Sequence, residues 1–236
     1  MKKINGNANI LIITAPSGTG KTTLTRRLVG EVPNIKVSVS VTTRAKRPGE
    51  ENGIHYWFVN EEEFKQHVEA NRLVEWVKLF GHYYGTTKDE IQRIIQAGQR
   101  VLLEIDVEGA HHVQNIYPES CTIFILPPTI LSLWTRLSQR GTDTLPSKWR
   151  RLNTAKEELL QGKNFQHFII NDNLENAYAE LKNLVLNNQA VKLSHSEGVR
   201  HCMKLNEEFE TADWLVELRK KFKEEDATEH QRRSRS

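Results

Sequence analysis

An apolar run, a glycine loop and Lys-Thr-Thr follow one another directly between Asn9 and Leu24, and that succession constrains the fold more than any other stretch of the chain. Ile10, Leu11, Ile12 and Ile13 form a continuous run of mainly β-branched side chains, the pattern of a strand buried on both faces of a parallel sheet. Ala15-Pro16-Ser17-Gly18-Thr19-Gly20-Lys21-Thr22 then matches G-x-x-x-x-G-K-[ST], with alanine at the first position. Gly18 and Gly20 let backbone N–H groups converge on an anion, and the following helix adds the positive end of its dipole. The spacing predicts a nucleoside triphosphate site in which Ala15 through Thr23 surround the phosphates. Lys21 would reach the outer phosphates and Thr22 a bound Mg²⁺. Ala15 carries a cost only where the backbone there needs positive φ. The bland alternative is a glycine turn beside an accidental Gly-Lys-Thr. The apolar strand before it and the helix-compatible run Leu24 to Val29 after it weigh against that.

A chain of 236 residues fits one α/β domain with small insertions and needs no second domain. Its two cysteines, Cys121 in an apolar run and Cys202 in the tail, are poor material for a disulfide framework and fit a reducing cytoplasm. Cys121 reads as a small buried hydrophobe rather than a nucleophile. The start, MKKINGNANILII, is too short in its apolar part for a secretory signal or a membrane span, so a soluble protein is expected. A net charge of +3 demands neither nucleic acid nor a membrane surface. The basic end Arg232-Arg233-Ser234-Arg235-Ser236 is short for an electrostatic footprint and reads as a solvated extension. There is no internal repeat and no metal-ligand pattern of cysteines and histidines.

Along the chain, a first helix is expected from about Thr22 to Val29, stopping near Gly30. Lys36 to Thr42 alternates apolar and polar residues, which predicts one strand with Ser38, Ser40 and Thr42 on a single face. The cations Arg44, Lys46 and Arg47 follow, and His55 to Val59 reads as a second strand at hairpin distance through Asn52-Gly53. Arg44, Arg47 and Tyr56 would then be presented together as an anion site. Glu75 sits inside the strand-like run Leu73 to Val77, where a carboxylate needs either a partner or an exposed face. Gly81 to Thr86 holds two aromatics between glycines, and Asp89 to Ala97 reads as an amphipathic helix. Arg100 to Asp106 is a strand ending in two carboxylates. Ligands of open α/β sheets gather beyond such carboxyl ends, making Glu104 and Asp106 candidates for Mg²⁺ or nucleotide contacts.

Thr122 to Leu126 is a further strand. A helix from about Thr129 carries Arg136 and Arg140 one turn apart. With Arg150 and Arg151 beyond the loop Gly141 to Thr144, these arginines suggest a mobile lid that brings positive charge to transferring phosphates. Phe168 to Asn173 is the last strand and turn, and Leu174 to Leu186 the closing helix. The alternation makes the fold α/β with a parallel sheet. In residues 190–236, Phe209, Leu215, Leu218 and Phe222 suggest an amphipathic helix from Glu207 to Lys223, with the remainder polar and disordered.

Taken in order, APSGTGKTT, SVSVTTRAKRPGEENGIHYWFV, LVEW, GHYYGTT, LLEIDVEGA, IFILPP, RLSQRGTD and IINDNLENA make the chain resemble the guanylate kinase family over about residues 8–187. The resemblance implies the transfer ATP + GMP giving ADP + GDP, with Mg²⁺ as cofactor, in purine nucleotide metabolism and in the cytoplasm. It implies a P-loop three-layer core, a small mixed α/β GMP-binding insertion at about 38–90 and a short helical lid at about 138–152. Residues 1–187 would form this domain and 188–236 an extension to which nothing carries over. By matched position, Arg44, Arg47 and Tyr56 would hold the GMP phosphate with Tyr84 beside them. Ser40, Glu75 and Thr86 would read the guanine, with Asp106 nearby. Lys21, Arg136, Arg140 and Arg151 would stabilise the transferred phosphoryl group, and Asn171 would lie near the adenine.

Two departures stand out. Val41 replaces a residue that is often small and polar or histidine in the family, and Leu145-Pro146-Ser147-Lys148-Trp149 lacks the acidic residues common in the lid. The rival reading, a non-catalytic module of the same fold that binds protein ligands, typically loses the loop lysine or the lid arginines, which this chain keeps. A kinase for another acceptor is a second rival, with dGMP the nearest alternative to GMP. Oligomeric state and a partner for the tail stay open.

Overall fold

The computed structural model describes residues 9–79, 81–139, 144–187, 189–220 and 222. The elements run β1 (Ile10–Thr14), α1 (Lys21–Glu31), β2 (Ile35–Val37), β3 (Val41–Thr42), β4 (Trp57–Phe58), α2 (Glu61–Glu69), β5 (Leu73–Leu79) and β6 (His82–Thr87). They continue with α3 (Lys88–Gln96), β7 (Arg100–Leu103), α4 (Val107–Ile116), β8 (Cys121–Leu126), α5 (Ile130–Ser138), α6 (Leu145–Leu160), β9 (His167–Ile170), α7 (Leu174–Asn187) and α8 (His195–Thr211).

The core is a parallel sheet in the order β2-β7-β1-β8-β9, and the period of two along each strand divides its side chains between two cores. Ile10 and Ile12 of β1 pack on one face with Ile91, Val113, Leu133 and Leu159. Leu11 and Ile13 pack on the other with Leu24, Leu28, Leu181 and Leu184. The sheet is thus sandwiched between helices, which accounts for a first strand that is apolar at every inner position. The expected three-layer core is present.

A second, mixed sheet in the order β4-β3-β6-β5 forms the insertion, with its own small core of Val41, Phe64 and Leu73. Here the structure departs from the sequence pattern. The alternating run Lys36 to Thr42 is two strands: β2 belongs to the core sheet, and β3 to the insertion. Alternation alone cannot reveal a strand that changes sheets at Ser38–Ser40. Nor do Asn52 and Gly53 turn a hairpin. β3 and β4 pair in parallel, Val41 with Trp57 and Thr42 with Phe58. A parallel pair requires a crossing connection, which Thr43 to Tyr56 supplies. Gly81 to Thr86, whose sequence suggested only aromatics between glycines, contributes β6, antiparallel to β5.

The C-terminal extension packs on the core. Helix α8 starts at His195, ahead of the expected Glu207, and packs on β9 and α6 over one face of the core sheet. It approaches so closely that a Cβ at Gly198 would lie 2.2 Å from the Phe168 ring. After a break at Ala212 the chain is helical again over 213–220. Cys202, Leu205, Phe209, Leu215 and Leu218 share one core with Leu152, Ala155 and Leu159 of α6. The expected disorder of 190–206 is therefore corrected, because these residues have an apolar face and α6 and β9 bury it. The basic end 232–236 lies outside the described residues. Both cysteines are buried and free, and burial pushes each thiol up to about 12. Among the described residues no helix is long and apolar enough to cross a membrane.

Candidate active site

Strand β1 ends at Thr14 and the glycine loop follows. Gly18 and Gly20 take φ of +94° and +103°, backbone that L side chains rarely adopt. Gly20 is also the position before α1, so the loop opens directly into a helix N-terminus. Ala15 has no such requirement, since Asn71 is the only non-glycine residue with positive φ among the described residues. The substituted first position is thus tolerated without strain.

A cavity of about 270 Å³ lies over this loop, lined by Ala15 to Gly18, Gly20 to Thr23, Asp106 and Glu158. Lys21 Nζ donates to the Ile105 carbonyl at 3.2 Å, and Thr14 Oγ1 donates to the same carbonyl at 3.1 Å. Burial holds the Lys21 ammonium below its ordinary value, against the pull of Glu104, Glu158 and Asp106. Thr22 Oγ1 donates to Glu104 Oε1 at 2.6 Å, and Thr25 Oγ1 to Glu104 Oε2 at 2.9 Å. Asp106 caps α4 by accepting the Gly109 N–H at 2.7 Å. Among the described residues no three acidic, histidine or cysteine groups cluster tightly enough to hold an ion by themselves. Thr22, Glu104 and Asp106 instead offer a few hard oxygens beside a phosphate cradle. That fits Mg²⁺, which usually takes one or two protein ligands together with substrate phosphates.

Behind the loop, Arg136 of α5 donates to the Thr19 carbonyl at 3.0 Å and to the Asn171 carbonyl at 2.8 Å. Asn171, just past β9, donates Nδ2 to the Thr19 carbonyl at 2.7 Å, and a Cβ on Gly20 would meet that nitrogen at 2.6 Å. In this conformation Arg136 and Asn171 brace the loop's backbone and do not line the cavity. Arg151 lies half-buried on α6. Arg140 falls outside the described residues.

The insertion assembles the second group. Arg44 donates Nη2 to Glu50 Oε1 at 2.7 Å and stands over the rings of Tyr56 at 5.4 Å and Phe58 at 5.8 Å. Tyr84 hydrogen-bonds to Arg44 and meets Tyr56 edge to face at 6.0 Å between ring centroids. Arg47 joins through its backbone N–H, which donates to Glu50 Oε2 at 2.8 Å, while its side chain is exposed. Arg44 first, then the Arg47 N–H, bring the Glu50 carboxyl down to about 2.

Glu75 of β5 and Thr86 of β6 are register partners beside a bulge, a device that re-aims side chains, and Thr86 Oγ1 donates to Glu75 Oε1 at 2.6 Å. Glu75 is only 7% exposed. Burial pushes its carboxyl up to about 7, Thr86 pulls it down, and Asp106 adds to the rise. Its other oxygen faces α4, where a Cβ on Gly109 would come within 3.1 Å of Glu75 Oε2 and 3.2 Å of Asp106 Oδ1. Glu75 is therefore where the insertion meets the core. Ser40 lies half-buried between β2 and β3, its carbonyl accepting the Trp57 N–H at 2.8 Å.

Glu50, Thr25, Gly109 and Glu158 escaped the sequence reading. Glu50 follows Pro48-Gly49 and carries no local signal of its pairing with Arg44. Glu158 had a usable signal, since it stands seven residues after Arg151 and so shares its helix face.

A glycine loop between a buried parallel strand and a helix, with a lysine, a hydroxyl and carboxylates around its cavity, defines a P-loop nucleotide-binding protein. The sequence model described as guanylate kinase matches residues 7–188. The chain belongs to the guanylate kinase family, a family of kinases. It is 43% identical to the guanylate kinase of Acinetobacter baylyi over 202 residues, 86% of this chain and 96% of that protein. It is 46% identical to that of Neisseria gonorrhoeae over 177 residues, 75% and 86% of the two chains. The crystal structure of guanylate kinase from Anaplasma phagocytophilum superposes with a TM-score of 0.61 at 28% identity, covering 83% of this chain and 93% of that one.

Proposed function

We propose that the chain transfers the γ-phosphoryl group of ATP to GMP, and to dGMP, in purine nucleotide metabolism. The observation that carries this reading is Glu75, buried, held by Thr86 and facing the core across Gly109. An ionised carboxylate there accepts from the N1–H and 2-amino groups of guanine, whereas adenine offers no such donor pair. Arg44, with Tyr56 and Tyr84, takes the acceptor's phosphate in exchange for Glu50, and Arg47 adds charge. The loop amides and Lys21 hold the donor's phosphates. Mg²⁺ bound with ATP would neutralise charge on its β- and γ-phosphates, with Thr22, Glu104 and Asp106 as the candidate protein oxygens.

The chemistry is in-line phosphoryl transfer, to which the protein contributes positioning, electrostatics and exclusion of water. Because the acceptor is already a phosphate oxyanion, no strong general base is needed. Arg136, Arg140 and Arg151 are assigned to the charge of the transferring group. For Arg136 that role requires release of at least one carbonyl it now holds. The test is ADP release from ATP and Mg²⁺ with GMP, dGMP, AMP, UMP, CMP or no acceptor. The expected result is a strong signal with GMP and dGMP alone. Equal signals with AMP, or none with any acceptor from folded protein, would refute the reading.

A further inference from the structure

Glu158 has no part in the roles above, yet it is one of the two acids lining the cavity over the phosphate loop. It accepts a hydrogen bond from the Ser17 N–H, the kind of contact the loop is built to give a phosphate oxygen. Its Oε2 is buried and finds no hydrogen-bond partner among the described residues. A carboxylate serving only to pin two elements together would be expected to satisfy both oxygens. Half-satisfied, facing Lys21 inside an anion cradle, it sits as an anion would.

Its helix gives that position a consequence. Helix α6 begins at Leu145, capped by Thr144, and Arg151 lies two turns before Glu158 on the same face. The helix also packs on the extension. Leu152, Ala155 and Leu159 join the core shared with Leu205 and Phe209, Lys156 pairs with Glu210, and Trp149 stacks on Phe222 at 5.6 Å. Among the contacts described, Glu158 is the one by which α6 reaches the loop's own backbone.

We infer that Glu158 is a positioning residue, a carboxylate of the lid helix that holds the empty phosphate loop as a substitute anion and is displaced by the phosphates of the donor nucleotide. This rests on the ATP reading proposed above and goes beyond it. Occupancy of the loop then sets where α6, and with it Arg151, can lie. Two anions crowded into this cavity repel each other, so nucleotide binding drives the helix off the loop.

Glu158→Gln keeps an acceptor oxygen and the side chain's size while removing the charge. Because burial pushes the Glu158 carboxyl up to about 7, titration calorimetry with Mg²⁺ and ATP is run at about pH 8, where the group is ionised. It should give a dissociation constant about 5-fold lower for the variant than for the full-length wild type, the value of one like-charge contact in water. Inorganic tripolyphosphate, which carries no base, should show the same gain, and GMP none. Amide exchange over 145–160 in the nucleotide-free variant should match that of the ATP-bound wild type. Glu158→Ala, checked by thermal unfolding, should repeat the tighter binding. Unchanged or weaker ATP and tripolyphosphate binding by folded Glu158→Gln overturns the inference. So does exchange over 145–160 that ATP leaves unaltered in the wild type. Gains confined to tripolyphosphate, with no ATP binding by either protein, would sustain the inference and refute the ATP reading instead.

Discussion

The phosphate loop and the insertion handle charge in opposite ways. The loop is one contiguous segment, its dihedral angles set by two glycines and its Thr19 carbonyl braced by Arg136 and Asn171. It rests on a strand that is buried throughout. The insertion collects Arg44, Tyr56, Glu75 and Tyr84 from separate segments, on a sheet whose own core is small. Its cation sits on Glu50, and its buried carboxylate is held by neutral groups of Thr86, the hydroxyl and the backbone. A rigid cradle can be local in sequence. On the proposed reading, a site that recognises a particular base and its phosphate draws its groups together across a sheet.

The comparison breaks most visibly at Lys21. Lys21→Ala removes the ammonium that lines the loop cavity while leaving Gly18, Gly20 and their bracing contacts in place. Transfer to GMP should fall about 1,000-fold, the scale of losing a principal charge-stabilising donor. Thermal unfolding should move little, because the lysine's only described hydrogen bond is to the Ile105 carbonyl, which Thr14 also serves. Wild-type turnover in the variant would remove Lys21 from the mechanism.

Glu75→Gln tests the insertion's half. Replacing the acceptor by an amide that presents donors should lower kcat/KM for GMP about 100-fold, while KM for ATP changes less than about 2-fold. Equal losses for both nucleotides would contradict base reading. The pH dependence has a definite sign. With its carboxyl raised to about 7 in the folded protein, Glu75 would have to ionise to accept from guanine as proposed, so kcat/KM for GMP should rise as pH passes through about 7. The GMP phosphate itself titrates near ~6 in both proteins, so the difference between wild type and Glu75→Gln isolates the side chain.

Stability runs the other way. The folded chain keeps this proton to higher pH than the unfolded chain does. Folding stability therefore declines from about pH 4.5 to about pH 7, by up to ~3 kcal/mol from this one group. Glu158, also raised to about 7 by burial, adds a decline of the same sign. Urea titrations across that range should show a shallower decline in Glu75→Gln.

The same contrast explains what could be read before any coordinates. The loop, the buried strand β1 and the carboxylates past β7 were legible because each is a pattern of near neighbours. Such patterns follow from period, glycine spacing and the chemistry of a strand's carboxyl end. The insertion was legible only in part. Alternation over Lys36 to Thr42 is shared by one strand or two, and nothing local distinguishes an antiparallel hairpin from the parallel pairing of β3 with β4. The amphipathic stripe of the tail did announce a helix, but its earlier half depends on Gly198 meeting Phe168, an approach between residues far apart in sequence. Glu75 was flagged as a carboxylate out of place, yet its partner is set by the bulged register of β5 against β6, which no local pattern reveals.

The smallest expected effect lies where the insertion carries its own anion. Arg44 and Glu50 pair at 2.7 Å with both side chains largely covered, and Glu50 also takes the Arg47 N–H. On the proposed reading, an incoming phosphate would have to displace that carboxylate to reach the guanidinium. Glu50→Gln weakens the incumbent without removing its hydrogen-bonding shape, so KM for GMP should fall about 3-fold with kcat unchanged, the signature of altered ground-state binding alone. Loss of the charge also relaxes the loop from Thr43 to Glu50, which works against that gain and keeps it small. A rise in KM instead would mean that Glu50 prepares Arg44 for the phosphate rather than competing with it. The insertion would then resemble the phosphate loop after all, a cradle shaped in advance by its own contacts.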